Sequence, residues 1–451
     1  MHSDRAQAIH VAVPTRRTTL AIHSLLKGRI AVAASGALSL RILQKIFGLL
    51  ISLALARLLG ASGYGVYAFV LTCVGVLSIP ALLGFDTLLV RQVARYETQG
   101  EWRLLAGLLR RAQQIPLVTA FAVGAITAWL AWGSSRYFES DMLSSFWIAL
   151  VALPILTLLR VKQAIIVGFR RVVIGLTPEA LVQPIVLLVL VAVVSVMRSQ
   201  ALGAHALVVA YVISATAALI AASAAFRWIR PATVLNASPA YDTNRWLKSG
   251  ISFCALACLN VLGTSLGILM LSPIRGEEAT GIFGIANAAA TLVALPLVAI
   301  NAPLGPAFVG ANAKGDQERL QQLARKAARG TLALALPAAF VLVVFGRALL
   351  PLLGPEFVAS YPALVILCLA QLFNVGMGSP GLLLQMTGHE RLVLLGIAIA
   401  LVINTSLNVI LIPTWGPIGA ALGAAGNLLT WNVLLSVWAW RRLGIRSMAI
   451  G

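Results

Sequence analysis

Twelve apolar runs of about 18–25 residues recur along the chain, each long enough to cross bilayer hydrocarbon as a helix. They lie near 30–58, 64–84, 114–133, 143–166, 179–197, 205–226, 249–271, 280–302, 331–350, 362–384, 391–412 and 417–439. In lipid every backbone polar group must be satisfied within the protein, so runs of this length fold as transmembrane helices. Composition agrees: 60% of the residues are hydrophobic and 11% charged, where a soluble chain carries about 25% charged residues. The expected fold is all-α and membrane-embedded, with about twelve spans. The first apolar run is too long for the core of a signal peptide, so it reads as an uncleaved first span.

A net charge of +20 would suit a nucleic-acid binder, but the cations sit in short loops between apolar runs and no soluble segment could form such a domain. Of the 34 Lys and Arg, 25 fall in the N-terminal tail, the even-numbered loops and the C-terminal tail. Five lie on the other side (Arg57, Arg136, Arg198, Arg275 and Arg347) and four within spans. By the positive-inside rule both termini face the cytoplasm, with membrane lipids as partners and the plasma (inner) membrane as location. The cysteines Cys73, Cys254, Cys258 and Cys368 fall inside apolar runs, with no further Cys or His to complete a metal set. They read as buried thiols, and no metal or cofactor is expected.

The chain repeats itself. "GASGYGVYAFVLTCVGVLSIP" returns as "GEEATGIFGIANAAATLVALP", with Gly65 on Gly281, Tyr67 on Phe283 and Pro80 on Pro296. "GEWRLLAGLLRRA" (100–112) matches "GDQERLQQLARKA" (315–327), and "GFRR" (168–171) matches "GHER" (388–391). This divides the chain into a basic tail 1–29, a six-span half 30–226, a loop 227–248, a second half 249–440 and a tail 441–451. Six spans per half give both halves the same orientation, so a pseudo-two-fold axis along the membrane normal is expected, a layout that places a substrate site between the halves.

The spans contain unusual polar residues. Arg41, Lys45, Gly48 and Ser52 follow i, i+4, i+7 and i+11 on one face, with Gln44 alongside. A cation at mid-bilayer costs about 2.5–3.5 kcal/mol on insertion scales, and such residues mark function by default. The alternatives are snorkelling or a neighbouring carboxylate, of which Asp86 is the one near a span core. Arg160 and Lys162 lie in the fourth span or at its cytoplasmic interface. Asn260 with Thr264, Asn287 with Thr291, and Gln371, Asn374, Gly378 and Gln385 place amides on one face each of the seventh, eighth and tenth spans. Amides of this kind either line a polar lumen or hydrogen-bond neighbouring helices.

"LARLLGASGYGVYAFV", "LGFDTLLVRQVARYE", "GEEATGIFGIANAAA", "LLGPEFVASYPALVILCLAQLFN", "LLLQMTGHERL" and "WGPIGAALGAA" are similar to bacterial polysaccharide-unit flippases. These form the oligosaccharidyl-lipid branch of the multidrug/oligosaccharide/polysaccharide exporter superfamily. The resemblance runs from about Ala31 to Arg442. It implies a V-shaped transporter that moves undecaprenyl-pyrophosphate-linked oligosaccharides from the cytoplasmic to the periplasmic leaflet. It also implies a place beside a polysaccharide polymerase and a chain-length regulator. On that reading Arg41, Lys45, Arg160 and Lys162 meet the pyrophosphate, while Gln44, Ser52, Asn260, Asn287, Gln371, Asn374 and Gln385 meet sugar hydroxyls. The rivals are a multidrug exporter, which would want a membrane carboxylate, and a lipid II flippase, commonly with fourteen spans. A membrane glycosyltransferase or polymerase would need paired catalytic acids, and the outer acids are scattered over short loops.

Overall fold

The computed structural model describes residues 16–133, 140–197 and 203–449, and side-chain surroundings for 35–133, 142–196 and 203–449. Arg136 and Arg198 lie outside the described residues. In chain order the helices are α1 (Arg16–Leu82), α2 (Phe85–Gln99), α3 (Trp102–Gly133), α4 (Ser140–Gly168) and α5 (Val172–Thr177). A π turn leads on to α6 (Gln183–Met197), followed by α7 (Ala204–Ile229), α8 (Ala232–Asn236) and α9 (Thr243–Ala290). The remainder are α10 (Leu295–Ala313), α11 (Gln317–Leu349), α12 (Tyr361–Gly376), α13 (Pro380–Met386), α14 (Glu390–Trp415) and α15 (Pro417–Leu443).

Ten helical segments among the described residues are long and apolar enough to cross a membrane. Two of them turn sharply at a glycine and cross twice, which yields twelve crossings. The turns are α1 at Gly60 (φ 69°, ψ −175°) and α9 at Gly276 (φ 84°, ψ −176°). A positive φ of this kind is open to glycine at little cost and strained for other residues. The two glycines stand at the repeat spacing, so each half opens with the same bent pair of spans.

Just beyond the bends the two pairs meet. A Cβ on Gly65 would lie 1.8 Å from the Glu277 carbonyl oxygen, and one on Gly281 would lie 1.9 Å from that of Ala61. Positions 61 and 277, like 65 and 281, are repeat equivalents, so the contact is reciprocal. Small residues let two helix backbones approach this closely in a membrane. The Ser62 hydroxyl adds a hydrogen bond to Glu277 Oε2 at 3.2 Å.

The buried side chains explain the shape. One cluster surrounds the crossing and draws on both halves, including Tyr64, Tyr67, Val70, Phe283, Ile285 and Leu364. A second, at the basic end, joins Phe85, Leu88, Leu105, Ile165 and Phe226 of the first half with Trp246. A third, at the same end, joins Leu304, Phe308, Leu320, Leu383 and Leu435 of the second half. The molecule therefore shares one core at its non-basic end and divides into two cores at its basic end.

Several boundaries differ from the apolar pattern. α3 and α11 begin at Trp102 and Gln317, because basic amphipathic turns extend the helices out of the hydrocarbon. The segment between the second and third runs contains α2, whose Phe85, Leu88, Leu89, Val93 and Tyr96 are buried against the bundle. The tenth span is not one helix: α12 ends at Gly376, Gly378 has φ 76°, and α13 restarts at Pro380. The chain end folds back onto this break. The Ala449 amide donates to the Gly376 carbonyl at 2.9 Å and the Ser447 hydroxyl to that of Met377 at 3.0 Å. The opened helix thus keeps partners for its free carbonyls, as a buried backbone requires.

Candidate functional site

The first limb of α1 descends from the bend at Gly60 toward the divided, basic end. Near the bend it is packed, with Ile51, Leu55 and Ala56 buried. Lower down it is nearly bare: Arg41, Lys45 and Gly48 are exposed, and a Cβ on Gly48 would meet nothing within 4 Å. The opposite face is exposed too, through Leu43, Ile46 and Leu50 at 36%, 38% and 46%. A helix bare on a cationic stripe and on an apolar stripe suits a wall with water on one side and hydrocarbon on the other. Among the described residues Arg41 and Lys45 have no hydrogen bond or ion pair. Asp86, the carboxylate considered as their partner, accepts instead from the Thr87 amide at 2.8 Å. Lys45 lies fifteen residues below Gly60, about 22 Å along the helix at 1.5 Å per residue, and Arg41 one turn further.

The remaining predicted positions separate. Gln44 is half-buried beside the stripe. Ser52 is half-buried and donates to the Gly48 carbonyl of its own helix at 2.9 Å. Arg160 is half-buried and donates to the Ser78 hydroxyl at 3.3 Å, on the second limb of α1. Lys162 points elsewhere: it donates to Gln113 Oε1 at 2.9 Å and stands 4.6 Å over the Phe226 ring. It therefore belongs to the packing of α4 against α3 and α7, two residues and about 200° from Arg160 on the helix.

In the second half Asn260 and Thr264 are exposed, on the limb of α9 that mirrors the first limb of α1. Asn260 donates to its own helix at the Leu256 carbonyl. At the repeat spacing Gln44 matches Asn260 and Gly48 matches Thr264, while Arg41 and Lys45 match Ala257 and Val261. The amide position is thus polar in both halves and the cations belong to the first half. Asn287 is half-buried on the second limb of α9. Gln371 and Asn374 engage each other at 3.1 Å, and Asn374 accepts from Asn432 at 2.8 Å, joining α12 to α15. Gln385 does not share their face as expected: the break at Gly378 places it, exposed, on α13.

The polar interior also contains residues that sequence reasoning passed over. Asn404 and Asn427 both donate to the Gly263 carbonyl, at 2.8 and 3.3 Å, and Asn408 donates to Asn404 Oδ1 at 2.7 Å. Ser379, in the break, donates to Asn301. Asn404 and Asn408, spaced i, i+4 in "INTSLNVI", gave the signal that was available.

This architecture is similar to that of an inward-facing multidrug resistance MATE family transporter of the MOP superfamily, with a TM-score of 0.74 and 16% identity over 91% of this chain and 98% of that one. It is similar to the lipid II flippase MurJ in an inward closed conformation (TM-score 0.69, 11% identity, 89% and 86% of the two chains). A MOP superfamily transporter from Pyrococcus furiosus, described by the reverse polarity of its binding pocket, gives 0.63 at 14% identity over 92% and 95%. The bent span pairs and divided core thus define a multi-pass integral membrane protein with the fold of the MOP transporters. A sequence comparison with curated proteins gives no match. The model of the family described as Polysaccharide biosynthesis protein matches residues 54–362, and the chain belongs to that family.

Proposed function

We propose that the chain is a flippase that carries prenyl-pyrophosphate-linked oligosaccharide units from the cytoplasmic to the outer leaflet of the plasma membrane, for surface polysaccharide synthesis. The observation that carries this reading is the first limb of α1, with exposed cations on one face and exposed aliphatic residues on the other. Such a substrate has the same division: an anionic, hydroxylated head that needs water and a tail that can stay in lipid. Arg41 forms the guanidinium fork suited to phosphate and Lys45 a point charge beside it. Arg160 adds a cation on α4, and Asn260, Thr264 and Asn287 offer partners for sugar hydroxyls from the second half. Opening at the basic end would receive the head from the cytoplasm. Separation of the limbs at the Gly65–Gly281 crossing would release it on the other side, the alternating access expected of paired bundles.

The test is binding to the purified protein. A short-chain prenyl pyrophosphate should raise the midpoint of thermal unfolding, a prenyl monophosphate less, and the neutral prenol not at all. Equal stabilisation by the neutral prenol would remove the anion from the account.

A further inference from the structure

Two pockets occupy repeat-equivalent corners of the basic end. One, of about 240 Å³, is lined by Glu97, Phe169, Arg171, Trp228, Ile229 and Pro231. The other, of about 310 Å³, is lined by Gly388, His389, Glu390, Arg391, Leu392 and Arg442. Arg171 and Arg391 close the matched tetrapeptides "GFRR" and "GHER". The second wall of each pocket is the end of the last span of its half, α7 in one and α15 in the other. Each pocket holds a guanidinium and a carboxylate, and neither couple forms an ion pair: among the described residues the side chains of Arg171, Arg391 and Arg442 make no hydrogen bond or salt bridge. Neighbouring arginines are committed, as Arg170 is to Thr98 Oγ1 at 3.0 Å and Arg95 to Gln99 at 2.9 Å. The level of both corners is marked by a tryptophan at the end of the same spans, Trp228 at 81% and Trp440 at 51% exposure. Exposed tryptophans at span ends sit at the headgroup region of a bilayer.

We propose that each corner seats the headgroup of a phosphatidylethanolamine molecule of the cytoplasmic leaflet. The phosphate accepts from Arg171 in one pocket and from Arg391 and Arg442 in the other, and the primary ammonium donates to Glu97 or Glu390. A pocket that keeps opposite charges apart complements a dipolar headgroup. An anionic headgroup would gain from the arginines and be repelled by the carboxylate. A choline headgroup has no N–H to donate. The duplication argues for a selected feature: the two tetrapeptides share two of four residues, yet the acid comes from α2 in one half and from the first turn of α14 in the other.

The test is native mass spectrometry of the full chain in detergent with equal amounts of phosphatidylethanolamine, phosphatidylglycerol and phosphatidylcholine. Two phosphatidylethanolamine molecules should be retained several-fold in preference to the others. The near-isosteric double variant Glu97→Gln/Glu390→Gln, with an unchanged circular dichroism spectrum, should lose the preference over phosphatidylglycerol. Arg171→Ala should lose one of the two bound molecules. Soluble glycerophosphoethanolamine at equal concentration should displace neither. Phosphatidylglycerol retained as well as phosphatidylethanolamine by the unaltered protein, a preference untouched by the glutamine variant, or displacement by the soluble headgroup would each overturn the proposal.

Discussion

Arg41 and Lys45 are the residues on which the functional reading turns, and their surroundings remove one of the alternatives that the sequence left open, a neighbouring carboxylate. A role in intramolecular pairing would need a carboxylate within reach. Asp86 is turned to the Thr87 amide, and both cations face open space beside Gly48. Arg41→Ala and Lys45→Ala should therefore fold and insert as before and lose most transport, checked by protein level and by complementation of a flippase-deficient strain. Arg41→Lys should recover a part, because an ammonium cannot reproduce the bidentate fork. Lys162→Ala should differ. With its ammonium on Gln113 and the Phe226 ring, its loss should lower stability by about 1 kcal/mol, seen as a lower unfolding midpoint, with transport retained. The sequence could place all four cations inside spans but could not sort them, since Arg160 and Lys162 are two residues apart and diverge only once α3 and α7 are packed around α4.

Among the elements, the bent pairs α1 and α9 were the most legible. Their glycines are demanded by the backbone, by positive φ at 60 and 276 and by contact at 65 and 281, so the repeat persisted where side chains had diverged. The tenth span was the least legible. Its apolar run continues through Gly378, and what stabilises the break is the chain end, about seventy residues away, through Ser447 and Ala449. α2 was hidden for a similar reason, its apolar face being defined by the bundle it lies on. α9 also begins outside its own half. Trp246 is fully buried in the core of the first half, its indole N–H donating to the Tyr96 hydroxyl at 3.1 Å. Gly84 and Gly250 approach so closely that a Cβ on Gly84 would lie 2.3 Å from the Gly250 carbonyl oxygen. The first turns of α9 thus travel with the first half, and any rocking of the halves must flex α9 above Cys254. Trp246→Ala should cost about 3–5 kcal/mol, the range for large buried aromatics, read as a drop in the unfolding midpoint in detergent. Trp246→Phe should cost less, about 1–3 kcal/mol, through the lost hydrogen bond and the space left by the smaller ring.

At the scale of the whole molecule, one shared core and two separate ones describe a body joined at one end and open at the other. The divided end carries the basic loops, and the positive-inside rule assigns such an end to the cytoplasm, an orientation that remains a prediction of the charge bias. Reporter fusions after Gly100, Asn236 and Gly315 should accordingly read as cytoplasmic and a fusion after Arg347 as external. The joined end must part during transport if the halves alternate. Ser62 and Glu277 meet there at 3.2 Å. In a background lacking the four native cysteines, the pair Ser62→Cys/Glu277→Cys should form a disulfide that stops transport, with recovery on reduction. The central claim, that the divided end admits an anionic lipid-linked head which the cations of α1 carry across, is tested most directly in proteoliposomes. The quantity to measure is the rate at which a pyrophosphate-linked prenyl oligosaccharide, inserted in one leaflet, becomes accessible to a glycan-cleaving enzyme confined to the other side. The unaltered protein should speed this well above empty vesicles, and the Arg41→Ala/Lys45→Ala double variant, reconstituted in equal amount, should fall to the empty-vesicle rate. Equal rates for the double variant and the unaltered protein would contradict the account.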